Sequence, residues 1–175
     1  MSKSLALGVG AALWLGIAFG TALAVDTGSS LPPKLAVFDF ELEDVGPAAS
    51  LPGQSSRSAA VMDKVSAAAR RVLAQSGRYS LVDVSKADAK PVTEKSLRDC
   101  DGCETAIALQ LGADQALVGV IRRVTMTDYY VLIQISDCHT GKVLDQQAAN
   151  FAGGDDGWPS GVASLIKRQV LLSDR

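Results

Sequence analysis

The sequence predicts an α/β (α+β) single domain, a mixed sheet of about five strands with helices packed on it in the order β-α-β-α-β-β-β-α. Three features point there. Up to Gly112, apolar runs rich in Val, Leu and Phe alternate with stretches of helical periodicity. From Asp114 to Phe151, strand-like runs follow one another across short turns, which makes a meander. Trp158 to Leu171 then carries apolar residues at helical spacing.

Lys34 to Leu42 (KLAVFDFEL) is the first strand by its Val and Phe content, and Gly46 to Ser56, with its Pro, Gly and Ser, is a loop. Arg57 to Ser76 is the clearest helix. Ser55 or Ser56 can cap it, Gly77 stops it, and Val61, Val65, Ala68, Ala69, Val72 and Leu73 fall on one side, with Lys64, Arg70 and Arg71 off that stripe. Tyr79 to Val84 (YSLVDV) is a short strand. Ser85 to Ser96, with Pro91 inside it, leaves room for a short helix.

Cys103 to Leu111 is a second helix ended by Gly112, with Ile107 and Leu111 on one face. Asp114 to Thr125 is a strand whose apolar centre, Ala116 to Ile121, implies burial on both faces. Asp128 to Asp137 alternates Tyr129, Val131, Ile133 and Ile135 onto one face, and Thr127-Asp128 joins these two strands as an antiparallel hairpin. A turn at His139 to Lys142 leads to the returning strand Val143 to Phe151. Trp158, Val162, Leu165, Ile166 and Val170 set the inner face of the last helix, with Trp158 as its anchor. Tyr129 and Tyr130 point to opposite faces, so one packs and the other is exposed.

Residues 1–24 read as a cleavable secretory signal peptide. Lys3 gives a positive start, Leu5 to Phe19 is apolar, and Ala22-Leu23-Ala24 places small residues where a signal peptidase reads them. The apolar run is short for a membrane span, which takes roughly 20 apolar residues, so cleavage is expected in place of an anchor. Val25, not Cys, follows the site, which argues against a lipid anchor. The expected organisation is therefore a signal peptide, a flexible lead over 25–33 and a single α/β domain over 34–172 in the periplasm, with no stable membrane insertion after cleavage.

The net charge is -2 and no basic run is present, so nucleic acid is not an expected partner. No phosphate loop, dinucleotide fingerprint or G-x-S-x-G elbow occurs, so no cofactor and no catalytic residue are assigned.

The chemistry-bearing residues are few. Cys100 and Cys103 form a C-x-x-C pair where the second helix begins, and export would put them in an oxidising space. A helix N-terminus favours a redox thiolate, but Asp99, Asp101 and Glu104 crowd the pair and oppose it. A local disulfide that fixes the start of the helix is the favoured reading, thiol-disulfide redox the next, and metal binding the third. Cys138 and His139 would complete a zinc set with the pair, yet neighbours on a strand point to opposite faces, so no metal site is assigned. Haem attachment would need His at position 104, which is Glu. Asp39 and Glu41 flank Phe40 near the end of the first strand, where open α/β sheets place ligands, and both are expected on one side. They are a possible partner or ligand site; the simpler reading is that one caps a backbone amide or pairs with Arg122 or Arg123.

Several segments in order also carry a resemblance: AVFDFEL, YSLVDV, C-x-x-C-E leading into A-x-x-L-GAD, ALVGVI, DCHTGKVL and DDGWPSGVASLIKR. The chain resembles an exported bacterial family of unknown function (DUF3280/DUF2380-like). More distantly it is similar to the α/β domain of periplasmic proteins such as the TolB amino-terminal domain, the curli secretion protein and the lipoprotein activators of cell-wall synthases. That resemblance implies a non-enzymatic role, docking onto partners at the cell envelope. The expected function is therefore an accessory or assembly factor with an envelope protein as partner, and its two candidate surfaces are the sheet edge of the Asp128 to Phe151 meander and the loop from Asp44 to Ser56.

Overall fold

The computed structural model describes residues 31–44, 54–87 and 96–172. The signal-peptide reading, residues 25–30 of the lead, most of the loop before residue 54 and Pro91 lie outside them. In chain order the elements are β1 (Lys34–Val37), β2 (Glu41–Asp44), α1 (Gln54–Gln75), β3 (Ser80–Val82), α2 (Cys103–Gln110), β4 (Gln115–Arg123), β5 (Asp128–Asp137), β6 (Val143–Ala152) and α3 (Trp158–Leu165). Single 3-10 turns occur at Val84–Lys86, Leu97–Asp99 and Asp155–Gly157, and α3 runs on as wider π-type turns to Val170. Because α1 begins at Gln54, Ser55 and Ser56 lie within its first turn and do not precede it as caps.

The strands form one mixed sheet in the order β3-β1-β4-β5-β6, with β2 also paired to β4. β1, β2 and β3 enter in parallel, and β4, β5 and β6 form the antiparallel meander. The mixed sheet with packed helices is thus the expected one, with a single difference: the first predicted strand is two.

Phe38-Asp39-Phe40 interrupts that strand, and β1 and β2 lie one after the other along the same edge of β4, with Val37 opposite Leu117 and Glu41 opposite Val120. Phe38 packs with Ile107 on one side of the sheet, and Phe40 with Val65 and Leu117 on the other. Backbone groups freed by the interruption need partners. α1 supplies them: Phe40 N–H donates to Ser66 Oγ at 2.9 Å, and Arg70 donates from Nε and Nη2 to the Val37 carbonyl at 3.1 and 2.9 Å.

Two apolar layers flank the sheet. The larger joins Leu35, Val37, Leu117, Ile121, Tyr129, Val131, Ile133 and Ile135 to α1 and α3. The smaller, under α2, holds Ala36, Phe38, Ala116, Val118 and Cys138. β4 is therefore buried on both faces, as its continuous apolar run predicts. Tyr129 is buried and donates its hydroxyl to the Gly157 carbonyl at 3.0 Å, whereas Tyr130 is half-buried.

Two constraints are unusually strict. A Cβ placed on Gly119 would overlap the Phe40 ring, so only glycine lets Phe40 cross the centre of β4. Arg123, 1% exposed, lies at the end of β4. It pairs with Asp44 and with Asp155 (2.9 Å), donates to Ser58 Oγ at 3.1 Å, and stacks its guanidinium 4.8 Å from the centre of the Trp158 ring.

Gly119→Ala should destabilise the fold by about 1–3 kcal/mol through overpacking, and Phe40→Leu in the same chain should recover part of that loss, as read by urea denaturation. Arg123→Ala removes the shared cation of two carboxylates and should cost about 3–5 kcal/mol in the same measurement. An unchanged midpoint would contradict the role given to the pair network.

Candidate functional site

The C-x-x-C segment connects the 3-10 turn Leu97–Asp99 to α2. Asp101 (φ 54) and Gly102 (φ 93) are both left-handed, which bends the chain sharply enough to bring Cys100 and Cys103 together. Glycine suits the second position because it carries no Cβ penalty there. The two sulfurs lie at bonding distance, with their Cα atoms 5.5 Å apart. Thr105 Oγ1 donates to the Gly102 carbonyl at 2.7 Å and closes the first turn of α2.

Of the carboxylates around the pair, Asp101 is exposed, Asp99 pairs with Arg98 at 3.4 Å, and Glu104 is turned inward at 7% exposure. In the sequence the three look alike, as carboxylates flanking the pair. The helical spacing held the distinction: Glu104 lies three and four residues before Ile107 and Ala108, on the face that packs against the sheet.

Cys138 is buried in the same apolar layer that Cys100 and Cys103 border. Burial first, and then the charges of Asp137, Asp114 and Glu104, push its thiol up to about 11. His139, next to it, is exposed and lies 3.9 Å from Asp114. The neighbours thus diverge, as strand geometry requires, and His139 does not join the cysteines. Among the described residues the groups that gather are Cys100, Cys103 and Glu104, within 4.8 Å of one another. Bridged sulfurs offer no thiolate to a metal.

Asp137, just before Cys138, fixes the β5–β6 turn. Its Oδ1 accepts from Thr140 Oγ1 (2.8 Å), Thr140 N–H (2.7 Å) and His139 N–H (3.0 Å), and these bonds hold its carboxyl below the usual range.

Asp39 and Glu41 do not converge. The interruption after β1 breaks the alternation that would have put them on one side. Asp39 is exposed and pairs with Arg70 of α1 at 2.8 Å. Glu41 accepts the Leu97 N–H and lies 3.4 Å from Arg98, on the α2 side of the sheet. Arg122 and Arg123 take Glu43 and Asp44 instead, two residues further along.

β6 lies at the end of the sheet. Asp145, Gln147, Ala149 and Phe151 face the α3 side, where Phe151 stacks on Tyr129 at 5.4 Å. Gln146, Ala148 and Asn150 face away from it, beside Gln134, Leu132 and Tyr130 of β5, and are exposed. Val143 and Leu144, at the start of β6, are about half exposed.

With a pKa near 11, Cys138 has only ~0.1% thiolate at pH 8. Iodoacetamide should therefore label it about two orders of magnitude more slowly than an ordinary free cysteine, and denaturant should abolish the difference in a mass-spectrometric time course. Fast labelling of the folded chain would contradict its burial.

Solved structures similar to this chain at low identity include the following three. The LpoB C-terminal domain from Salmonella enterica is 20% identical, with a TM-score of 0.47 over 71% of this chain and 86% of that one. The PelC dodecamer from Paraburkholderia phytofirmans is 18% identical, with a TM-score of 0.48 over 77% and 81%. TolB from Acinetobacter baumannii is 16% identical, with a TM-score of 0.45 over 78% of this chain and 27% of that one. No curated protein matches. Among the described residues, no helix is long and apolar enough to cross a membrane. The family model described as "DUF3280: Protein of unknown function (DUF2380)" matches residues 33–170, and the chain belongs to that family.

Proposed function

We propose that this member of an unknown-function family is an exported, non-catalytic binding domain of the cell envelope, an accessory or assembly factor that holds a protein partner along β6. One observation carries the reading. β6 is hydrogen-bonded to β5 on one side, and among the described residues no strand lies beyond it. It runs for 10 residues with Asp145 as its one charge and without Pro or Lys. Edge strands are commonly blunted by Lys, Pro or shortness; one that is long and nearly uncharged is a template for another strand. An extended segment of a partner added there gains main-chain hydrogen bonds, and alternate side chains set specificity.

Export rests on the signal-peptide pattern of residues 1–24, and the cysteine pair at bonding distance suits an oxidising compartment. A thiol-redox role has less support, because Asp99, Asp101 and Glu104 surround the pair with negative charge. The metal reading has less support again, because Cys138 is buried while His139 faces solvent.

Successive residues of an edge strand direct their backbone groups alternately inward and outward. Of Gln146→Pro and Gln147→Pro, one therefore removes a bond to β5 and lowers the melting temperature, and the other removes only the outward N–H. The variant that melts like wild type should lose envelope partners recovered by crosslinking and pull-down, with at least a tenfold drop in yield. Undiminished capture by that variant would refute docking along β6.

A further inference from the structure

The described residues cover only part of the sheet face opposite α1 and α3. α2 and the turn at Leu97–Asp99 close over Ala36, Phe38 and Val118, and beside them a cleft of about 560 Å³ opens over β4 and β5. Leu97, Val118, Val120 and Leu132 give it aliphatic walls, and Glu104 is the buried charged group among its lining residues.

Glu104 has no hydrogen-bond donor of its own. The polar atom recorded against it is Cys100 Sγ at 3.8 Å, which has no proton to give while bridged to Cys103. Arg98 also lines the cleft, but its guanidinium is held by Glu41 and Asp99, each at 3.4 Å. The Thr105 hydroxyl is spent on the Gly102 carbonyl. Its carboxylate is not sealed off: among the described residues Arg123 Nε is the fully buried side-chain polar atom without a partner, so an oxygen of Glu104 reaches the cleft and can be met there by a counter-charge or an ordered molecule.

We infer that the cleft takes the primary ammonium of a lysine side chain presented by a polypeptide partner. An ammonium carries three donors and no acceptor, and brings them on a thin methylene stem that aliphatic walls can line. Gln134 Nε2 donates to Ser136 Oγ at 3.3 Å, which leaves the Gln134 carbonyl oxygen as a neutral acceptor in the same cleft. The cleft opens beside the exposed Gln146 and Ala148, which neighbour Gln134 and Leu132, and the backbone carrying the lysine would lie along them. Asp101, the other carboxylate of the lining, is exposed, and a solvated carboxylate holds a second ammonium only weakly. This site is separate from the β6 edge and does not require strand docking.

The test is an NMR titration of the purified ¹⁵N-labelled chain with a lysine-centred alanine pentapeptide, its Nε-acetylated form, its arginine counterpart and 1,5-diaminopentane. The lysine peptide should give saturable shifts confined to Leu97–Thr105, Val118–Val120 and Leu132–Ser136. Acetylation should abolish them, and Glu104→Gln should weaken binding at least tenfold without lowering the melting temperature, because the bridged Cys100 sulfur gives Glu104 no hydrogen bond that the amide would lose. The outward-facing β6 proline variant should bind as wild type does. The inference is overturned by equal binding of the acetylated or arginine peptide, by tighter binding of the free diamine, by absence of saturation at millimolar peptide, or by a Glu104→Gln chain that melts several degrees lower.

Discussion

A buried cation closes one end of the sheet. Arg123 ends β4 and reaches β2 through Asp44, α1 through Ser58, and the start of α3 through Asp155 and the Trp158 ring. Each contact compensates part of the large cost of removing a guanidinium from water. Its Nε is buried without a hydrogen-bond partner. The arrangement sets where β2 must run and where the last helix must begin. It also explains why Trp158, 1% exposed, is an anchor: one side of its ring packs in the core, and its π face takes the charge.

The interruption at Phe38–Phe40 is the complementary device. It lets one stretch of chain send an aromatic ring to each side of the sheet, and it frees backbone groups that α1 then satisfies with Ser66 and Arg70. Both residues therefore serve the strand interruption and not the helix surface. Gly119 completes the device by leaving space for Phe40. The same interruption separates Asp39 from Glu41, so two acids that look like a pair in the sequence serve two different elements.

The α2 face has a different character. It is thin, held by a short helix, a local sulfur bridge and a 3-10 turn, and among the described residues it leaves β5 half-buried and β6 exposed on that side. A covered sheet face supplies stability, and an uncovered one next to a free edge supplies surface for recognition. Both proposed contacts, strand pairing at β6 and ammonium capture at Glu104, belong to this open half of the molecule. The tightly packed half, with α1 and α3, serves as the support that holds it in shape.

Much of the fold was legible from periodicity. The stripe of α1, the alternation of β5 and the doubly apolar run of β4 each state their own burial, because which faces of a strand or helix are apolar depends on residue order alone. The family resemblance was legible too, through motifs in a fixed order. Burial of Arg123, division of the first strand and inward rotation of Glu104 were not read. Each depends on partners far away in the chain: Asp155 is 32 residues from Arg123, and Ser66 is 26 from Phe40. A local pattern records what a residue prefers in isolation. Which charge a buried arginine meets, and which carboxylate is left facing a cleft, is decided only when the sheet assembles and brings those distant groups within reach.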